Sequence, residues 1–284
     1  MEDSSRSGPP SPRAPEPRGG RRLAQAVVTA LVLLALVIVC YLLGRTAFFV
    51  LICAVVLVAL FELLDALVQA GRRPVLPYGL ACGFAMLLVS FLRAPRLLGA
   101  VLAVTMIGAF LLSLRPGRGP TPASDAAWTL LAVGWVGGGG AAATSIMMLP
   151  GGLRLLVAFV LTTALDDIGG YFAGTAFGKH KMAPSISPSK SWEGFVGGFC
   201  AALAGGALFA AMVPELDLLE GLSIGVIAGL LAPVGDLVES LAKRELGVKD
   251  SGRLLPGHGG FLDRLDAILF CAPVVFLYLA FVAP

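Results

Sequence analysis

Charge is what this sequence has least of. Only 14% of its 284 residues are Asp, Glu, Lys or Arg, against about 25% in an ordinary soluble domain. Histidine occurs twice, as His180 and His258, and cysteine five times. Cys40, Cys53, Cys82, Cys200 and Cys271 all lie in apolar stretches without a C-x-x-C pair, which argues against a disulfide framework or a zinc site. A net charge of +3 gives no ground for expecting a nucleic-acid partner. There is no Walker-type phosphate loop and no internal repeat.

Apolar residues make up 57% of the chain, and the mean hydropathy is +0.88. A soluble fold of this composition would leave large apolar patches in water, so the expectation is an all-α integral membrane protein. Residues 1–22 are rich in Pro, Ser, Gly and Arg and read as a disordered cytoplasmic tail. Spanning windows follow at 23–43, 47–70, 76–92, 97–114, 125–148, 152–174, 193–213, 221–240 and 265–283, about nine helices. Gly137–Gly140 interrupts the helical pattern of the fifth window. The organisation is therefore the tail, an N-terminal helical region over 23–150, and a C-terminal region over 151–284 that carries two long loops, 175–191 and 241–264.

The basic residues set the orientation. With the tail inside, 17 of the 21 Lys and Arg face the cytoplasm; only Arg45, Arg93, Arg96 and Arg154 face out. This predicts a cytoplasmic N-terminus and an external C-terminus, in a plasma (inner) membrane.

Both histidines lie in the two long cytoplasmic loops, and carboxylates gather at the ends of the adjoining spans: Asp166, Asp167, Asp236, Glu239, Asp263 and Asp266. An acid within a span costs about 2.5–3.5 kcal/mol at the helix centre, so six at one face require compensation. Asp236 and Glu239 are spaced i, i+3 and share a helix face, as do Asp263 and Asp266. Such pairs suit Mg²⁺, which takes one or two carboxylates, waters and substrate phosphates. Lys243, Arg244, Lys249, Arg253 and Arg264 lie close by, and Gly257, Gly259 and Gly260 flank His258. Acids, bases and glycines in this combination suit phosphoryl or nucleotidyl transfer. Singly, each residue fits a topology signal, a helix cap or a turn; the density between 240 and 266 is what points to chemistry. Glu62 and Asp65, also i, i+3, are open to two readings: they complete this site, or they pair with Arg72 or Arg73.

The run Ser240, Lys243, Arg244, Lys249, Asp250, Pro256, His258, Gly259, Gly260, Asp263, Arg264, Asp266, preceded by Gly235-Asp236 and Glu239, resembles the signature of the phosphatidate cytidylyltransferases (CDP-diacylglycerol synthases). A second block, Asp167, Gly170, Tyr171, Gly174, Phe177, Gly178, Lys179, His180 and then Ile186 to Gly194, is similar to the same family, with Ser189 and Ser191 where Lys and Thr are usual. The resemblance covers roughly 165–283.

The resemblance implies Mg²⁺-dependent transfer from CTP to phosphatidic acid, giving CDP-diacylglycerol and diphosphate, and a homodimer in the bilayer. A second cation beside the Mg²⁺ is left open. It assigns catalysis to Asp236, Lys243, Arg244, His258, Asp263, Arg264 and Asp266. It assigns substrate contact to Asp167, Lys179, Ser187, Lys190, Trp192, Glu193, Ser240, Lys249, Gly259 and Gly260. Metal binding falls to Asp236, Glu239, Asp263 and Asp266. Two other readings stand beside it. An ion-coupled transporter would place acids near the midplane and show a repeat. A membrane lipid or polyprenol kinase would use ATP.

Overall fold

The apolar windows become helices in the computed structural model, which describes residues 19–115, 120–248, 252 and 260–282. They are α1 (Gly19–Leu43), α2 (Arg45–Gln69), α3 (Leu76–Phe91), α4 (Pro95–Ser113), α5 (Pro122–Ala132), α6 (Gly138–Met147), α7 (Gly152–Phe177), α8 (Trp192–Met212), α9 (Leu218–Glu245) and α10 (Leu262–Phe281). Among the described residues, with α5 and α6 taken as one rod, seven helices are long and apolar enough to cross a membrane, while Leu31–Leu43 and Leu76–Phe91 are apolar but shorter. The chain is an all-α, multi-pass membrane protein.

Four local expectations are corrected. The glycine run does not break the fifth helix: Val133–Gly137 forms a π turn that joins α5 to α6. The wider turn absorbs one extra residue without exposing backbone groups that lipid cannot satisfy. Helix α7 continues to Phe177 and α9 to Glu245, so Lys243 and Arg244 stand on a helix and not in a loop. The loop after α7 carries an antiparallel hairpin, β1 (Lys181–Ala183) and β2 (Ser187–Ser191), with Lys181 opposite Ser191.

In sequence order α7 packs on α8, α8 on α9 and α9 on α10, and α10 closes against α6, which packs on α3. Lipid tails are as apolar as leucine, so helix association rests on close packing. Small residues supply it between α7 and α8. A Cβ on Gly169 would lie 2.8 Å from the Gly197 carbonyl oxygen, and one on Gly197 would strike the Ala173 side chain. Any larger residue at either position forces the two backbones apart. The core runs through Leu60, Leu64, Val133, Ile146, Phe159 and Val275, all fully buried, while α1 and α4 present large apolar side chains outward.

The helix ends are fixed by polar side chains. Ser191 Oγ accepts the Gly194 N–H at 3.1 Å and caps α8. Asp217 and Glu220 form a reciprocal capping box at the start of α9. Arg154 donates through Nε to Glu215 at 2.9 Å, joining the start of α7 to the turn before α9.

Candidate active site

Helix α7 delivers Asp166 and Asp167, hairpin strand β2 delivers Ser189, Lys190 and Ser191, and α9 delivers Asp236. Together with Tyr171, Met182, Phe195 and Pro233 they line a cavity of about 320 Å³. Glycines make room for it. A Cβ on Gly198 would lie 2.8 Å from Asp166 Oδ1, so α8 approaches the carboxylate with backbone alone.

Charge in the cavity is concentrated and mixed. Lys190 Nζ donates to Asp236 Oδ2. Burial by itself would lower the Lys190 pKa, but the Asp236 carboxylate, with Asp167 and Asp266 beyond it, overrides this and raises it. Asp236 also faces Asp266 of α10, and Asp167 shares the field of Asp236, Lys190 and Arg264. Asp166 is buried, and its Oδ1 has no hydrogen-bond partner among the described residues.

One turn along α9 a second ion-pair group is centred on Lys243. Its ammonium donates to Glu239 Oε2 at 2.7 Å and to Asp263 Oδ1 at 2.9 Å. Asp263 Oδ2 accepts the Gly260 N–H at 2.9 Å, which folds the chain back at the start of α10. Glu239 Oε1 and the Trp135 Nε1 donor, both buried without a partner among the described residues, border one cavity of about 10 Å³. Trp135 stands within the π turn.

The expected site residues therefore separate into groups. Asp167, Lys190, Asp236 and Asp266 converge; Glu239, Lys243, Asp263 and Gly260 form the adjoining group. Arg244 donates through Nε to the Ile186 carbonyl and so pins the hairpin to α9. Ser187 Oγ lies 3.4 Å from Ser189 Oγ, and Ser240 is half-buried on α9. Lys179, Trp192 and Glu193 lie elsewhere, with His180, Lys181 and Val196, around a separate open groove. There His180 Nδ1 stands 2.6 Å from Glu193 Oε1. Lys249, His258 and Gly259 lie outside the described residues, as do Asp250, Arg253, Pro256 and Gly257.

Among the described residues no three acidic, histidine or cysteine side chains converge as a metal-binding group. Lysines separate the acids into pairs. A pair is nevertheless what Mg²⁺ asks of a protein when phosphates complete its shell. Asp236 and Asp266 are the pair whose oxygens would serve such an ion.

Reasoning from sequence left Asp166 without a role, along with the glycine face that admits it. The tandem Asp166-Asp167 inside an apolar span was the available signal. The glycines opposite carry no chemistry of their own and become legible only once α8 is seen to pass there.

Residues 24–282 match the model of the cytidylyltransferase family. The chain is 34% identical to a phosphatidate cytidylyltransferase of Mycobacterium bovis over 98% of this chain and 95% of the relative. It is 32% identical to that of Mycobacterium leprae over 93% and 89% of the two chains. With a phosphatidate cytidylyltransferase of Brucella suis it shares 45% identity over 45% of this chain and 48% of the relative. The chain belongs to the cytidylyltransferase family.

Proposed function

We infer that the protein transfers the cytidylyl group of CTP to phosphatidic acid, giving CDP-diacylglycerol and diphosphate. The observation that carries this reading is the cavity where Asp166, Asp167, Lys190 and Asp236 meet, in a chain similar end to end to phosphatidate cytidylyltransferases.

In this reaction a phosphate oxygen of the lipid bonds to the α-phosphorus of CTP, and the bond from that phosphorus to the bridging oxygen of the β-phosphate breaks. The leaving group is diphosphate. The nucleophile is already an anion, so no strong base is needed; the barrier is repulsion between a phosphomonoester and a triphosphate. Lys190, held charged among the acids, supplies fixed positive charge on one wall of the cavity. Lys243 and Arg264 extend that charge along α9 and α10.

Asp236 and Asp266 would hold Mg²⁺, with Glu239 and Asp263 one turn away as further donors. When bound, the metal supplies charge neutralisation at the phosphates. Without it, Lys190 and Lys243 are the counter-charges that keep these acids within an apolar bundle.

We take the site to face the cytoplasm, because CTP is water-soluble and the basic residues gather on that side. Nine spans, an internal N-terminus and a homodimer belong to the same reading. The deciding experiment incubates purified protein with phosphatidic acid, Mg²⁺ and α-labelled CTP. Labelled lipid is the expected product, and its absence with folded protein would overturn the assignment.

A further inference from the structure

Helix α10 starts without a cap of its own: Phe261, at its N-cap position, makes no side-chain capping bond. The missing acceptor comes from 200 residues earlier. Glu62 of α2, only 3% exposed, accepts the Leu262 N–H through Oε2 at 3.1 Å, and the Phe261 amide faces the same carboxylate. Glu62 Oε1 is buried and has no hydrogen-bond partner among the described residues. The chain also crosses directly over this carboxylate at Gly252, where a Cβ would collide with it.

We propose that Glu62 is a positioning residue for Asp263 and Asp266: from α2 it fastens the amide end of α10, so that the two aspartates of its first turns stand against Lys243 and Asp236. The physical case has three parts. The first four N–H groups of a helix need external acceptors, and a carboxylate there is favoured by the helix dipole as well. Asp263 is one residue beyond the captured amide and Asp266 one turn further, so rotation or fraying of this turn moves both. Finally, Glu62 does not pair with Arg72, whose Nη1 donates instead to Ser124 Oγ at 3.1 Å.

The inference rests on the proposed Mg²⁺-dependent reaction for its kinetic consequence but not for its structural one, so the test reads both. Full-length Glu62→Gln, Glu62→Ala, Glu62→Asp and Gly252→Ala are purified and compared with wild type. Amide hydrogen exchange is followed over residues 260–266. Alongside it, kcat and the Mg²⁺ concentration for half-maximal rate are measured at saturating CTP and phosphatidic acid.

A lost cap of this kind corresponds to about a tenfold effect. Glu62→Ala should therefore speed exchange at Leu262 about tenfold, with a similar rise in the Mg²⁺ requirement and fall in kcat. Glu62→Gln should give the same change in smaller measure. Gly252→Ala, which displaces the carboxylate without removing it, should resemble Glu62→Ala, and Glu62→Asp should restore part of the rate. A residue that only held the bundle together would lower the yield of folded protein and leave the Mg²⁺ requirement of the folded fraction unchanged; that result overturns the proposal. Unchanged exchange at Leu262 in folded Glu62→Ala also overturns it. Should Glu62→Ala not fold, Glu62→Gln and Gly252→Ala decide by the same criteria. Should the wild type itself make no labelled lipid, the reaction assignment fails, while the exchange data still judge Glu62.

Discussion

Lys190, on the second strand of the hairpin, reaches across the cavity to Asp236 on α9 and joins two elements 46 residues apart. The contact makes the hairpin a wall of the site. Without Lys190 the carboxylate of Asp236 would lose the counter-charge it is bonded to. Lys190→Met should lower kcat/KM by about 100-fold or more, the size of effect seen when one preorganised charge-stabilising donor is lost. The carboxylates around Lys190 raise its pKa and favour its charged form. Lys190→Arg should therefore keep the alkaline side of the rate profile unchanged, and a steady-state pH series checks this.

Lys243 presents the complementary case, one ammonium shared between Glu239 and Asp263. Removing one partner of a buried ion pair costs about 3–5 kcal/mol because the other charge is stranded. Lys243→Gln should be destabilised within that range in detergent melts. Asp263→Asn should abolish turnover while the protein stays inserted and folded. Normal activity in Asp263→Asn would remove that residue from the site.

Chelation should act on the acid pair. Removing Mg²⁺ with EDTA is expected to abolish CDP-diacylglycerol formation, and restoring Mg²⁺ should recover it. Asp236→Asn should lose this recovery. An unchanged rate in excess chelator would exclude the metal reading.

On the opposite end of α7, Arg154 holds the Glu215 carboxyl below its ordinary pKa through a hydrogen bond. A carboxyl lowered on folding adds stability at neutral pH, and that contribution is lost as pH falls through the folded value. The wild type should therefore lose more thermal stability than Glu215→Gln between neutral pH and about pH 3, below the ordinary glutamate value of about 4.3. Parallel melting curves for the two proteins would reject this.

The α7–α8 contact should tolerate no added volume. Gly197→Val meets the Ala173 side chain and the Gly169 carbonyl. Overpacking of this kind costs about 1–3 kcal/mol. Activity should fall further than stability, because the displaced helices are two walls of the cavity. Assay and melting temperature on the same preparation separate the two effects.

How much of this was legible beforehand differs by residue. The spans were readable because lipid imposes length and apolarity on each helix separately. Asp236 with Glu239, and Asp263 with Asp266, were readable because helical spacing alone puts each pair on one face. The partnership of Lys190 with Asp236 was not, since nothing local in β2 specifies which helix it will meet. Nor was the division of the acids by Lys243, which depends on α9 continuing as a helix to Glu245. Lys179, Trp192 and Glu193 count among the substrate contacts only through the family resemblance. Trp192 and Glu193 instead open α8, and with Lys179, before β1, they line the separate groove.

The π turn at Val133–Gly137 has a consequence for chain length. One residue more than an α-helical turn means that everything after it is rotated by about 100° relative to an unbroken helix. It is this rotation that lets Gly139 meet Leu269 of α10 and Gly140 meet Val56 of α2. Deleting a single residue within 133–137 would leave the composition and hydropathy of the span almost untouched, yet turn α6 away from both neighbours. The span is tuned by residue count, and an indel there should be harsher than most substitutions.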